Sequence, residues 1–121
     1  MNFNKKKQFI TVFDSFESDK SLDPIIEIVS KNIYNSNKYS VKLKTEYIST
    51  INRINTSKII INQYIRSMDY IMAYNTIHEE ILYLNRQLEY FKIYFEPNIC
   101  NFIDDYLNYI ITQYNHQLIL F

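Results

Sequence analysis

The sequence predicts an all-α protein, folded as a single-domain up-and-down helical bundle of about five helices over residues 1–121. Apolar residues recur at helical spacing along most of the chain, and the links between these segments are short. The chain also contains no glycine. Because tight hairpin turns need positive φ, a sheet built from many hairpins is disfavoured.

The first two segments are predicted as separate helices. The first covers residues 4–17, with an apolar face made of Phe9, Val12, Phe13 and Phe16. The second starts at Ser21-Leu22-Asp23-Pro24, where a capping side chain precedes a proline suited to the first turn. Its predicted apolar stripe ends at the polar turn Asn35-Ser36-Asn37 and consists of Leu22, Ile26, Val29 and Ile33.

The third segment has two interpretations. Apolar and polar residues alternate over 38–45, which is typical of a short strand. Helical spacing also begins here, at Leu43, Tyr47, Ile51 and Ile54. Because no partner strand is evident, we favour a helix over 40–54. Asn55-Thr56-Ser57 is the predicted N-terminal cap of a new helix. The apolar stripe of that helix consists of Ile61, Ile65, Met68 and Met72.

The last two segments carry the clearest amphipathic pattern. A break is predicted at Tyr74–Asn75, since Thr76 and Glu79 form a capping-box pattern that would start a new helix. The apolar stripe of that helix is Ile77, Ile81, Leu84, Leu88, Phe91 and Phe95. Glu96-Pro97 ends it and begins a final helix, whose core face is Ile99, Ile103, Tyr106, Ile110, Tyr114 and Gln117.

Several classes of enzyme are excluded by the missing residue types. Without glycine the chain cannot contain a dinucleotide fingerprint, a Walker A loop or a GxSxG elbow. His78, His116 and Cys100 lie in no HExxH, CxxC or ExxH pattern, so no metal site is predicted. We therefore expect a protein that is not an enzyme, with no catalytic residue, cofactor, metal or small-molecule substrate.

Charge and targeting patterns limit the partners and the location. The formal net charge is zero, which argues against a dedicated nucleic-acid binder. Residues 1–74 carry 11 basic and 7 acidic groups, and residues 75–121 carry 2 and 6. The favoured interpretation of this asymmetry is that the halves pack against each other or that the charged faces are solvated; the alternative is an acidic face for a basic partner. One cysteine and no signal-peptide or membrane-spanning pattern predict an intracellular protein, in the cytoplasm or an organelle interior.

The functional hypothesis, a protein-interaction surface, rests on the large number of aromatic residues. Residue types with AT-rich codons make up 68 of 121 residues, so base-composition bias is one explanation for the many Tyr and Ile residues. The other is a contact surface, because exposed tyrosines are enriched at interfaces. The predicted protein interface consists of Tyr90, Tyr94, Tyr109 and Phe121.

The preferred hypothesis is a non-enzymatic helical protein–protein interaction protein, working as a homo-oligomer or as a small subunit of a larger assembly. The alternative is a regulatory or immunity-type factor, viral, mobile-element or bacterial, that binds and inhibits one specific protein partner. A small enzyme that uses His78 or His116 is the third hypothesis.

Overall fold

The computed structural model describes residues 23–120, and this part of the chain is all-helical. It contains four α-helices: α1 (Asp23–Asn35), α2 (Val41–Arg66), α3 (Tyr70–Tyr94) and α4 (Pro97–Ile119). The all-α prediction is confirmed for these residues. The helix predicted over 4–17 lies outside the described residues.

The described helices form a bundle in which each helix packs against two others. α2 contacts α1 and α3, and α4 contacts α3 and α1, whereas the diagonal pairs do not approach each other. Short connections join successive helices, so neighbours along the chain run antiparallel. Residues from all four helices form one buried core.

α1 begins where the sequence predicts. Asp23 is its first residue, Pro24 follows, and Ile26, Val29 and Ile33 are buried as expected from their spacing. Leu22 and Ser21, which belong to the same predicted start, lie outside the described residues.

The strand alternative over 38–45 is wrong, because α2 runs from Val41 without interruption to Arg66. Ser40 is its N-cap, and its Oγ accepts a hydrogen bond from the backbone N–H of Leu43 at 3.1 Å.

The prediction that a new helix begins at 55–57 is also wrong. Ile54 and Ile61 are both buried on one continuous face, and this packing outweighs the weak helix propensity of the intervening polar residues.

The break between α2 and α3 lies at 67–69, not at the predicted Tyr74–Asn75. The backbone N–H of Asp69 donates to the carbonyl of Tyr64 at 2.8 Å, which closes α2 with a Schellman-type bond. Met68 takes the left-handed position with φ 60°, at a cost of about 1–2 kcal/mol relative to glycine. Because glycine is the usual signal for such a turn, no local pattern predicts this one.

α3 starts at Tyr70, and the predicted capping box at Thr76 lies inside it. Asp69 caps the helix by accepting a hydrogen bond from the N–H of Met72 at 3.3 Å. The Thr76 hydroxyl instead donates to the carbonyl of Met72 at 2.7 Å, one turn back. Met68 and Met72, predicted to continue the core stripe of α2, are both exposed, because Met68 lies in the turn and Met72 follows it.

The predicted stripes of α3 and α4 are confirmed. Ile77, Leu84, Leu88, Phe91 and Phe95 are buried, while Ile81 is half-buried at the edge. On α4 the core residues are Ile103, Tyr106, Ile110, Tyr114 and Gln117, with Ile99 half-buried. The Lys38 ammonium pairs with the Glu96 carboxylate, which joins the α1–α2 and α3–α4 connections at the same end of the bundle.

Tyr47 makes folding stability sensitive to alkaline pH. Its ring is buried, its hydroxyl lies 2.8 Å from Ser30 Oγ, and burial raises its pKa from 10.0 to about 12. Because the folded-state pKa is the higher one, this stabilisation is complete below pH 10 and is lost as pH rises towards 12. We expect Tyr47 to contribute a decline of about 2–3 kcal/mol in the free energy of unfolding across this window.

Urea unfolding at pH 8, 10 and 11.5 measures this decline. Tyr47→Phe removes the titrating group and should flatten the dependence between pH 10 and 12. The same substitution at the exposed Tyr34 is the control and should leave the slope unchanged. Equal slopes for Tyr47→Phe and the unmodified chain would refute the assignment.

Candidate protein-interaction face

The exposed side of α3 carries large apolar side chains at regular intervals. Three adjacent pairs lie 11 residues apart, which is about 16 Å along the helix. Ile71 is 76% exposed, Leu82 51%, Ile93 74% and Tyr94 56%. We name this line of side chains the outer ridge of α3; its members are Ile71, Met72, Leu82, Tyr83, Ile93 and Tyr94.

The exposed side of α4 is different, although the same residue types were available to it. Its outward positions include Asn101, Asn108, Thr112 and Asn115, and the large apolar side chains exposed on it are Phe102 and Ile119. Apolar residues that remain exposed together are typical of an interaction surface.

A tyrosine pair forms one end of the outer ridge. The rings of Tyr90 and Tyr94, one helical turn apart, have centroids 4.8 Å from each other. Tyr90 in turn lies edge-on to Phe91 at 5.7 Å, and Phe91 is fully buried. Because the pair rests on a buried ring, Tyr94 presents a large surface with little conformational freedom to lose on binding.

The other two predicted interface residues are not part of this pair. Tyr109 is half-buried against the core on α4, about 18 Å along the axis from the start of that helix at Pro97. The pair lies in the last turns of α3, next to that start. Phe121 lies outside the described residues.

A polar cluster between α2 and α3 borders the ridge, and no local sequence pattern predicts it. Arg53 Nε donates to both carboxylate oxygens of Glu80, at 3.0 and 3.1 Å. Its guanidinium carbon also lies 3.8 Å from the centroid of the Tyr83 ring. The Glu80 side chain is buried, whereas that of Arg53 is partly exposed. One face of the half-buried Tyr83 ring is therefore covered by a cation–π contact with Arg53.

Neighbouring hydrogen bonds lock the two helices in register. Gln87 Nε2 donates to Thr50 Oγ1 at 2.8 Å and to Glu46 at 3.4 Å. The hydroxyls of Thr50 and Tyr83 lie 3.2 Å apart. Thr50 and Gln87 are buried, so these polar atoms must meet one another for the helices to pack. The outer ridge is consequently held at a fixed rotation about the α3 axis.

The titratable groups that could support chemistry are scattered. The Cys100 thiol is buried, its sulfur lies 3.6 Å from Asp104, and burial is the main cause that raises its pKa. The His78 ring lies 6.4 Å from that of Tyr74 on the same helix. Within residues 23–120 no three His, Cys, Asp or Glu side chains come together as a metal site. A thiol with a raised pKa is a poor nucleophile at neutral pH.

Two clefts flank α1. One, of about 110 Å³, lies between α1 and α4 and is lined by Ile25, Ile26, Phe102, Asp105 and Tyr106. This is smaller than the roughly 300–1,000 Å³ of typical ligand pockets. The other, of about 450 Å³, is an open groove lined by Ile48 of α2 and by polar residues of α1: Glu27, Ser30, Lys31, Tyr34 and Asn35.

Comparison of the sequence and fold with protein-family models, curated proteins and solved structures gives no match. Across residues 23–120, no helix combines the length and the hydropathy needed to cross a membrane.

Proposed function

We propose that this chain is a non-enzymatic helical protein–protein interaction protein, working as a homo-oligomer or as a small subunit of a larger assembly. Its contact surface is the outer ridge of α3 together with Tyr90. The observation that carries this proposal is the larger number of exposed apolar side chains on α3, among them Ile71, Leu82 and Ile93, than on α4, where they are Phe102 and Ile119.

Two further features support a binding role for this surface. Arg and Tyr are the residue types most enriched among energetically important contacts at interfaces, and Arg53, Tyr83, Tyr90 and Tyr94 lie on or beside the ridge. These side chains are also held in place by the chain itself, through the Glu80 carboxylate and the Phe91 ring. Such fixed side chains lose little rotamer entropy when a partner binds.

Replacing the tyrosine pair tests the proposal. We expect the double variant Tyr90→Ala/Tyr94→Ala to weaken association at least tenfold, because tyrosine is among the residue types whose truncation most often costs an interface about 2 kcal/mol or more. Association is measured by sedimentation of the purified chain and by the proteins that a tagged chain retains from an extract of its native source. Helicity, measured by circular dichroism, should stay unchanged.

The matched control is Tyr34→Ala, since Tyr34 is an equally exposed tyrosine on α1. It should leave association unaffected. If the tyrosine-pair variant associates and retains proteins as the unmodified chain does, this surface is not the contact surface.

A further inference from the structure

Two charged residues between the apolar pairs of the outer ridge, Glu79 and Arg86, carry opposite charges at mirrored positions. Glu79 and Arg86 lie at equal distances along α3 from the midpoint between Leu82 and Tyr83. Both side chains are exposed, and neither forms an ion pair with any other residue in 23–120. They are seven residues apart, about 10 Å along the helix, and so do not face each other directly.

The apolar pairs share the same midpoint. Met72 and Ile93 lie at equal distances from it, and so do Ile71 and Tyr94. Met72, Leu82 and Ile93 lie on one face of α3, with the polar or charged residues Asn75, Glu79, Arg86 and Glu89 between them. This face of α3 packs against neither α2 nor α4, because both of those helices lie on its buried side.

We infer that a second copy of this chain docks on the outer ridge, with its own α3 antiparallel and a two-fold axis passing between Leu82 and Tyr83. In this arrangement Glu79 of each copy faces Arg86 of the other. Met72 faces Ile93, and Ile71 faces Tyr94. The inference rests on the proposed function and identifies its partner.

Charge complementarity is the reason that a second copy fits this face. A two-fold interface places the same surface on both partners, so opposite charges must lie on opposite sides of the axis. Glu79 and Arg86 meet this requirement. The remaining cation near the axis, Arg53, is already neutralised by Glu80 and brings no net repulsion between copies.

Charge reversal tests the arrangement. In Glu79→Lys or Arg86→Glu, the two-fold axis turns two attractive charge pairs into two repulsive ones. Because each variant removes two attractions and introduces two repulsions, the dimer dissociation constant should rise about 30-fold in either single variant. The double variant Glu79→Lys/Arg86→Glu restores opposite charges and should dimerise like the unmodified chain.

Sedimentation equilibrium of each purified chain measures these constants, and circular dichroism checks that each variant is folded. Asp105→Lys, a reversal on the exposed side of α4, is the control and should not change dimerisation. The inference is overturned if the unmodified chain stays monomeric up to about 1 mM, a concentration at which even weak specific dimers form. It is also overturned if the double variant fails to regain the affinity of the unmodified chain.

These outcomes are separable from a failure of the proposed function. A monomeric chain whose retained proteins still depend on Tyr90 and Tyr94 would refute the second copy as partner and leave the interaction surface standing. A chain that neither dimerises nor retains any protein through those tyrosines would refute both.

Discussion

Phe91→Ala should lower the free energy of unfolding by about 3–5 kcal/mol, the usual cost of truncating a fully buried phenylalanine. The Phe91 ring is completely inaccessible and lies 6.0 Å from Tyr47 and 5.5 Å from Phe95, centroid to centroid. Its removal leaves a cavity at the centre of the aromatic cluster. Urea unfolding followed by circular dichroism measures the change.

The same variant should also weaken the interaction surface. The Tyr90 ring packs against the Phe91 ring. Removal of the Phe91 ring therefore removes the contact that fixes the position of the Tyr90–Tyr94 pair. Phe102→Ala is the matched control, because Phe102 is 48% exposed on α4 and should cost less than about 1 kcal/mol. Similar decreases in stability for the two variants would contradict the burial of Phe91.

Arg53→Met should destabilise the fold by about 2–4 kcal/mol, because it leaves the buried Glu80 carboxylate without its cation. This is slightly below the cost for a fully buried pair, since the Arg53 side chain is partly exposed. The substitution also removes the guanidinium that lies 3.8 Å from the centroid of the Tyr83 ring. Urea unfolding again gives the magnitude.

A double variant separates the effect of the unpaired charge from that of the missing arginine side chain. Arg53→Met/Glu80→Leu removes both charges and should recover most of the stability that Arg53→Met costs. Arg66→Met, at the exposed end of α2, is the control and should cost less than about 1 kcal/mol. If Arg53→Met alone costs no more than this control, the ion pair does not stabilise the α2–α3 contact.

Those parts of the fold that depend on local periodicity are predictable from the sequence. The stripes of α3 and α4 are long and regular, so their buried faces follow from spacing alone. The turn at 67–69 is not predictable from the sequence, because the left-handed position that glycine usually holds is taken by a methionine, Met68. The predicted breaks at 55–57 and 74–75 are wrong because tertiary packing outweighs the helix propensity of single polar residues.

The candidate site is predictable only in part. Tyr90 and Tyr94 are one turn apart on a predicted helix, which is enough to place their rings together. The contact of Arg53 with Glu80 spans 27 residues and depends on how α2 packs on α3, which no local pattern reports. The outer ridge does not emerge from the sequence either, because periodicity places Met72 in the core stripe of the preceding helix.

The most direct test of the interaction surface is to mix two variants that each dimerise about 30-fold more weakly alone. An equimolar mixture of Glu79→Lys and Arg86→Glu places opposite charges at both charge pairs of an antiparallel α3 pairing. Light scattering behind a size-exclusion column should give about twice the 14.7 kDa chain mass for the mixture, and the single-chain mass for each variant alone. A mixture that stays at the single-chain mass, at concentrations where the unmodified chain dimerises, would contradict the two-fold pairing of α3.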